Sequence, residues 1–169
     1  MTHLLVRLVT LDLGLLDAAI AGPALLEREV GGEVAQGWNV FPEELRLTRE
    51  AVAADPQSTS WGPRLFVLDV PHVVVGWGGF KGSPRNGVVE LGYAVAPAWQ
   101  GRGVGTAAVH ALLRQAWAAA DVQTVLAHTL AGPGASVRVL EKTGFRHDGE
   151  IYDDEVGATW RFRLDRVDT

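Results

Sequence analysis

Fifteen residues, WQGRGVGTAAVHALL (Trp99–Leu113), carry the strongest structural signal in this chain. Gly101, Gly103 and Gly105 fall within five positions, and apolar residues with helical spacing follow directly. A helix N-terminus presents backbone N–H groups without partners and a partial positive charge, and glycines let an anion approach the backbone. The stretch therefore predicts a phosphate-binding loop at the start of a helix. A tight turn that merely needs glycines is the alternative.

Two common phosphate-binding patterns do not fit this loop. A P-loop requires a lysine followed by serine or threonine after the glycines, and no lysine follows here. In the dinucleotide fingerprint the third glycine would fall at Thr106, and Asp121 precedes the next predicted strand instead of ending it. Nucleoside triphosphate hydrolysis and a nicotinamide cofactor are therefore disfavoured. Arg102 is expected to add a charge-assisted contact to the bound anion, and Thr106 a hydroxyl.

Length and composition favour one domain, 1–169, in a reducing compartment. The chain has 169 residues and no cysteine, which excludes disulfides, thiolate metal sites and a cysteine nucleophile. Arg7, Asp12 and Asp17 interrupt the apolar N-terminal segment, so it contains neither a signal-peptide core nor a membrane-spanning run. We expect a cytoplasmic protein without a membrane partner. The five histidines lack metal-ligand spacing, so no metal site is predicted.

The net charge of −5 arises from the first third of the chain. Residues 1–60 contain nine acidic and four basic side chains, whereas residues 61–169 contain eleven of each. Nucleic-acid surfaces need clustered lysine and arginine, so a nucleic-acid partner is not expected. The acidic segment indicates either a cationic partner, such as an amine substrate, or a solvated face that aids solubility.

Apolar periodicity and turn residues predict the order β-α-α-β-β-β-α-β-α-β-β. Because a helix connects the strand before the glycine loop to the strand after it, those two strands are expected to be parallel. The three strands that precede the glycine loop are expected to form an antiparallel meander. The predicted strands are Leu4–Val9, Arg64–Leu68, Val73–Phe80, Val88–Val95, Thr124–Thr129, Phe145–Tyr152 and Thr159–Leu164. The predicted helical regions are Leu15–Val30, Pro42–Ala54, the segment after the glycine loop to about Ala119, and Ser136–Thr143.

Two motifs resemble those of one enzyme superfamily. Gln100, Gly103 and Gly105, preceded by the strand VVELGYAVAP, resemble the pyrophosphate-binding motif of the GNAT superfamily of acetyl-CoA-dependent N-acetyltransferases. The later stretch ASVRVLEKTGF (135–145) resembles the short helix and Gly-Phe of the same superfamily, especially its ribosomal-protein N-acetyltransferase-like branch. The resemblance implies an α/β (α+β) GNAT-like domain, with a mixed, mostly antiparallel sheet whose central strand pair is splayed.

The resemblance also implies acetyl-CoA as cofactor and assigns residues to it. Backbone groups of the strand before the loop would contact the pantetheine arm between the splayed strands that carry Tyr93 and His128. Gly92 is a candidate bulge at the splay, or a point of close packing. The residues assigned to the pantetheine arm are Ala94, Val95 and Ala96, and those assigned to the pyrophosphate are Gln100, Gly101, Arg102, Gly103, Val104, Gly105 and Thr106.

The expected reaction is direct transfer of the acetyl group to a primary amine. A lysine-like amine has a pKa near 10.4, so deprotonating it at neutral pH costs roughly 4 to 5 kcal/mol and requires a proton acceptor. Glu90 and His128 are the candidate bases, with a structural hydrogen-bonding role as the alternative for each. Ser136 is a third candidate catalytic residue, which would contact the sulfur or the phosphopantetheine, or would only cap the second helix.

Two departures from the family pattern leave an alternative function open. Pro133 stands where many members have asparagine, and Leu140 stands where many have the tyrosine that protonates the departing thiolate. A non-catalytic acetyl-CoA-binding module is therefore the second hypothesis. Trp38 and Trp61 are expected either in the core or as walls of an acceptor pocket. The acceptor, a small molecule or peptide amine, and the choice between monomer and homodimer stay open.

Overall fold

The computed structural model describes residues 4–167, which form eight strands and five α-helices. Short 3-10 turns at Pro56–Trp61 and Pro97–Trp99 complete the described elements. The strands are β1 (Arg7–Thr10), β2 (Glu33–Val34), β3 (Pro63–Asp69), β4 (His72–Phe80), β5 (Val88–Val95), β6 (Thr124–Leu130), β7 (Arg146–Asp153) and β8 (Gly157–Asp165). The α-helices are α1 (Leu13–Ala21), α2 (Pro23–Val30), α3 (Pro42–Ala54), α4 (Val104–Ala118) and α5 (Ala135–Lys142).

All eight strands belong to one mixed sheet. Its order is β1-β3-β4-β5-β6-β8-β7, and β2 pairs with β4 outside this path. The pairs β5–β6 and β2–β4 are parallel and the others are antiparallel. The antiparallel meander β3–β4–β5 and the parallel unit β5–α4–β6 are therefore confirmed, as is the mixed α/β fold class.

The helices cover the sheet from both sides. One core cluster joins the sheet to α4 and α5, and a second joins it to α1, α2 and α3. In α4, Val104, Ala108, Ala111 and Leu112 are buried, which confirms the predicted apolar face. Within the described part of the chain, no helix is long and apolar enough to cross a membrane.

The N-terminal third differs from the prediction in three places. The helical region expected over Leu15–Val30 is two helices, because Gly22 adopts φ 137° and Pro23, which has no N–H, begins α2. The two-residue strand β2 was not predicted, since so short a segment has no periodicity to detect. The first strand begins at Arg7 instead of Leu4.

Arg166 ties the C-terminal segment to the end of α4. Its guanidinium donates to the carbonyl oxygens of Trp117 (3.1 Å), Ala119 (2.7 Å) and Val122 (2.8 Å). It also lies over the Trp117 ring, 5.2 Å from the centroid. The last carbonyls of a helix have no intrahelical partners and carry partial negative charge, so a cation is favourable there. This contact holds α4 at its C-terminus, opposite the glycine loop.

We expect Arg166→Ala to lower the free energy of unfolding by about 1 to 3 kcal/mol, because it removes charge-assisted hydrogen bonds to the carbonyls at the end of a helix. Urea denaturation followed by circular dichroism measures the change. Arg114→Ala is the matched control, since Arg114 is exposed on α4 itself. Equal stability of both variants would show that the Arg166 contacts contribute nothing to folding.

Candidate functional site

The parallel strands β5 and β6 separate part-way along their length. Their pairing runs from Val88↔Thr124 to Leu91↔Ala127 and ends there, although β5 continues to Val95 and β6 to Leu130. Beyond this point β5 remains paired with β4, and β6 with β8. The central pair is therefore splayed, as predicted, and the gap opens toward the glycine loop.

Alternation along β5 decides which backbone groups face the gap. In the antiparallel β4–β5 ladder, Lys81 N–H donates to Glu90 O and Ala96 N–H donates to Val75 O, both at 2.8 Å. Even-numbered residues of β5 therefore direct their backbone groups to β4, and odd-numbered ones to the β6 side. Of the three residues predicted to contact the pantetheine arm, Val95 faces the gap, whereas Ala94 and Ala96 face β4. Tyr93, not predicted for this role, faces the gap with Val95.

The register and the surroundings of Gly92 argue against both roles predicted for it. The β4–β5 pairing passes through Gly79↔Gly92 without a shift, and the irregularity in this part of the sheet lies between Phe66 and Val67 of β3. Gly92 is thus not a bulge within β4–β5. A Cβ built on it would meet only Lys81 Cε, at 3.7 Å, so it is not a point of tight backbone packing either.

The glycine loop presents its backbone to the exterior. Gly101 and Gly103 have φ of 70° and 84°, a region that favours glycine, and a Cβ on either would have no neighbour within 4 Å. Gly103 is the N-cap of α4 and provides no side-chain cap. Among the described residues, none of the N–H groups of residues 101–106 donates to a backbone carbonyl. These N–H groups fit a diphosphate, which needs several donors and close backbone approach.

Other residues of the predicted loop have contacts within the protein. A Cβ on Gly105 would lie 3.2 Å from Val139 Cγ2, so this glycine allows α4 and α5 to pack closely. Gln100 Nε2 donates to Val95 O at 3.0 Å and closes the end of β5. The Arg102 guanidinium lies 5.1 Å from the centroid of the Trp99 ring, which holds a positive charge beside the loop. Trp99 was not predicted as part of this site.

Glu90 and His128 meet on the opposite face of the sheet from α4. Ala94, which points to the same face of β5 as Glu90, packs against the cluster of α1–α3. His128 Nδ1 lies 2.9 Å from Glu90 Oε1, and Lys81 Nζ lies 2.6 Å from the same oxygen. The side chains of Glu90 and His128 are 28% and 25% exposed, so both are reachable from solvent. The sequence predicted Glu90 and His128 as candidate bases but did not predict their contact, nor the contact of Lys81 with Glu90.

The charge of Glu90 determines which nitrogen of His128 is available. Burial raises the pKa of Glu90, but hydrogen bonds and charges from Lys81 and His128 outweigh burial and hold that pKa below its usual value. A carboxylate only accepts hydrogen bonds, so His128 must donate its Nδ1–H to Glu90. The neutral imidazole then has its free lone pair at Nε2 and can take a proton there.

The start of α5 meets the other face of β5. Tyr93 Oη lies 3.4 Å from Ser136 O, and burial raises the pKa of Tyr93 to about 12, so the phenol stays protonated at neutral pH. Ser136 is exposed in the first turn of α5, whose N-cap is Gly134, so its alternative role as the helix cap does not hold. Leu140 is fully buried in the core, where the family often has a tyrosine.

Two tryptophans considered for an acceptor pocket pack against other aromatic rings. Trp38 is buried and its ring lies edge-on to Trp77, with centroids 6.1 Å apart. Trp61 packs edge-on against Phe80 at 5.2 Å. Trp38 therefore belongs to the core, whereas Trp61 is partly buried and packs against the cluster that joins the sheet to α4 and α5.

Several acidic side chains of the first 60 residues serve local structure. Asp12 and Asp55 accept hydrogen bonds at helix starts, and Glu27 accepts from the backbone N–H of Val34 in β2. Asp17 and Glu43 form ion pairs with arginines. These contacts leave fewer acidic side chains for a cationic partner.

Comparisons with known proteins agree with this geometry. Residues 4–146 match the family model described as an acetyltransferase (GNAT) domain. An uncharacterized N-acetyltransferase, YjdG of Bacillus subtilis, is 29% identical over 142 residues, covering 82% of this chain and 84% of the relative. Two solved structures share the fold. A putative GNAT-family acetyltransferase from Bordetella pertussis has 24% identity, TM-score 0.68 and 96% coverage of both chains. Mycobacterium smegmatis RimJ in complex with CoA-disulfide has 17% identity and TM-score 0.66, covering 95% of this chain and 85% of that one.

The family match spans most of the chain, and the matched residues include the splayed strands and the glycine loop. The protein belongs to the GNAT acetyltransferases.

Proposed function

We propose that this protein transfers the acetyl group of acetyl-CoA directly to a primary amine. The observation that carries the proposal is the arrangement around β5. A glycine loop with backbone N–H groups that donate to no backbone carbonyl of residues 4–167 and a gap between strands lie at its end, and a hydrogen-bonded Glu90–His128 pair lies beside the same gap on the face of α1–α3. The donor and the acceptor would thus meet across one strand, without a covalent enzyme intermediate.

The donor side is formed by backbone groups. The N–H groups of residues 101–106 would hold the pyrophosphate of acetyl-CoA, with Arg102 adding charge beside it. The backbone of Tyr93 and Val95 faces the gap and would pair with the pantetheine arm as an added strand does. When bound, acetyl-CoA supplies an activated acyl group as a thioester.

The acceptor side supplies a proton acceptor. His128 Nε2 would take the proton of the amine, directly or through water, and Glu90 would stabilise the resulting imidazolium through Nδ1–H. Ser136 and Tyr93 would lie on the other side of the gap, where hydroxyl groups can donate to a leaving thiolate. A phenol is protonated at neutral pH, and burial raises the pKa of Tyr93 further, to about 12, so its phenol would serve as a donor and not as a base.

The stretch ASVRVLEKTGF supports placing the chain in the ribosomal-protein N-acetyltransferase-like branch. A peptide or small-molecule amine fits this assignment. Four acids of the first 60 residues, namely Glu29, Glu33, Glu44 and Glu50, are not among the five caps and pairs described above, and they would favour a cationic acceptor.

The burial of Leu140 supports a second function, a non-catalytic acetyl-CoA-binding module. Leu140 has no proton to donate to a thiolate, and its side chain is packed in the core with residues of α4. Thiol release from acetyl-CoA across a panel of amines separates the two functions. Tight binding of acetyl-CoA without turnover of any amine would favour the module.

We expect coenzyme A, but not NAD, to raise the melting temperature of the protein, and Gly103→Ala to weaken this effect. A Cβ on Gly103 would point into the open space where an anion approaches, so we expect Kd for coenzyme A to rise about tenfold or more. Gly82→Ala is the matched control, because Gly82 also has positive φ (95°) and open space around its Cβ. An equal loss of affinity in both variants would argue against the loop as the binding site.

Once an acceptor is identified, we expect His128→Ala to lower kcat/KM by at least about 100-fold, since general bases typically contribute this much. His110→Ala controls for the loss of an imidazole, because His110 is exposed on α4. Steady-state kinetics over pH 5.5 to 9 provide the measurement. A variant with an unchanged pH–rate profile would remove His128 from the role of base.

A further inference from the structure

Lys81 is one of only two lysines in the chain, the other being Lys142, and it lies beside the candidate base. It directly follows β4 and is the cross-strand neighbour of Glu90, with its backbone N–H donating to Glu90 O at 2.8 Å. Its ammonium reaches the carboxylate of the same residue, at 2.6 Å from Oε1. Backbone and side chain of Lys81 thus hold Glu90 at two points.

The path of the lysine stem depends on Gly92. Lys81 Cε lies 3.7 Å from the position of a Cβ built on Gly92, and no other atom outside its chain neighbours lies within 4 Å of it. The stem therefore extends over the bare backbone of β5, on the face that carries Glu90. This gives Gly92 a role that neither a bulge nor tight packing explains.

We propose that Lys81 is a positioning residue for the Glu90–His128 pair: it fixes Glu90 Oε1 as a carboxylate oxygen, so that this oxygen accepts the Nδ1–H of His128. The inference rests on the proposed function, in which His128 Nε2 takes the proton of the amine. Lys81 acts through Glu90, and its ammonium is hydrogen-bonded to Glu90 Oε1 and not to the imidazole.

The exposure of the Lys81 and Glu90 side chains favours this role over a stabilising one. The Lys81 side chain is 62% exposed, and ion pairs at such positions contribute little to folding. Glu90 is much less exposed, so a carboxylate there without a cation would favour its protonated form. A protonated Glu90 could offer a proton to His128 instead of accepting one, and the imidazole would then lose its fixed tautomer.

Other charged groups on the same face are bound to partners of their own. Arg161, opposite His128 in the β6–β8 ladder, pairs with Asp148 of β7 at 3.0 Å. Arg163, opposite Leu126, pairs with Asp165 at 2.9 Å. Among the described residues, Lys81 is the lysine or arginine that forms an ion pair with Glu90.

The first experiment measures Glu90 without cofactor or acceptor. The full-length protein is labelled with 13C at its glutamate carboxyls, and the NMR signal that disappears in Glu90→Gln is assigned to Glu90. The pH titration of this Glu90 signal is then followed in the wild type, Lys81→Met, Lys81→Arg and Lys142→Met. We expect the midpoint to move to higher pH in Lys81→Met only, because a cation that lowers the pKa of Glu90 is removed. An unmoved midpoint in Lys81→Met, or an equal shift in Lys142→Met, would overturn the proposal.

The second experiment measures kcat/KM over pH 5.5 to 8.5 for the same variants. Since Glu90 protonates at higher pH without Lys81, we expect Lys81→Met to lose at least about tenfold at pH 6 and less at pH 8, whereas Lys81→Arg keeps the wild-type profile. A pH-independent loss, or no loss while His128→Ala is inactive, refutes the role of Lys81 and leaves the proposed function intact. If the wild type acetylates no amine, the proposed function fails, and the carboxyl titration alone decides the contact.

Discussion

The separation of β5 from β6 after Leu91 and Ala127 is the constraint on which the site depends. Each strand keeps a partner on its outer edge, β4 for β5 and β8 for β6, so the sheet stays continuous while its centre opens. Unpaired strand edges are normally covered or paired in proteins. In the proposed function, an extended ligand arm between the two strands would pair with the backbone of Tyr93 and the N–H of Val95, whose carbonyl already accepts from Gln100.

Because β5 is pleated, its side chains point alternately to the two faces of the sheet, while its backbone groups lie in the plane of the sheet. Glu90 points to the face of α1–α3, Tyr93 points to the face of α4 and α5, and the backbone of Val95 lies in the plane of the sheet. In the proposed function, these three residues of one strand would serve the acceptor, the thiol side and the ligand arm, respectively. The rigidity of a central strand keeps these three directions fixed relative to one another.

The charged side chains near the gap form local ion pairs. Glu90 is matched by Lys81, and Arg161 by Asp148, so the face around His128 holds paired charges and not a field of one sign. In the N-terminal third, two of the acids are paired in the same way, Asp17 with Arg49 and Glu43 with Arg46. Net charge counted along the sequence is thus a poor guide to the charge that an acceptor would meet.

The sequence predicted the parts of this protein that local rules govern. The spacing of apolar residues after Gly105 specified α4, and turn residues between apolar runs specified the antiparallel meander. The glycine pattern and the ASVRVLEKTGF stretch indicated the family before any geometry. Glu90 and His128 were identified as candidate bases because carboxylate and imidazole are suited to proton transfer.

Tertiary structure decided which of the predicted groups are in contact. The contact between Glu90 and His128 joins residues 38 apart, and it depends on the register of two strands that no local pattern encodes. Lys81 was unpredicted for the same reason, since its reach depends on the antiparallel register of β4 and β5. Likewise, the backbone of Val95 faces the gap, whereas that of Ala94 and Ala96 faces β4. This alternation follows from the hydrogen-bonding register of β4 and β5, which cannot be read from the sequence. The sequence by itself determines residue types and their local spacing, but the distances between side chains on different strands are set only when the sheet forms.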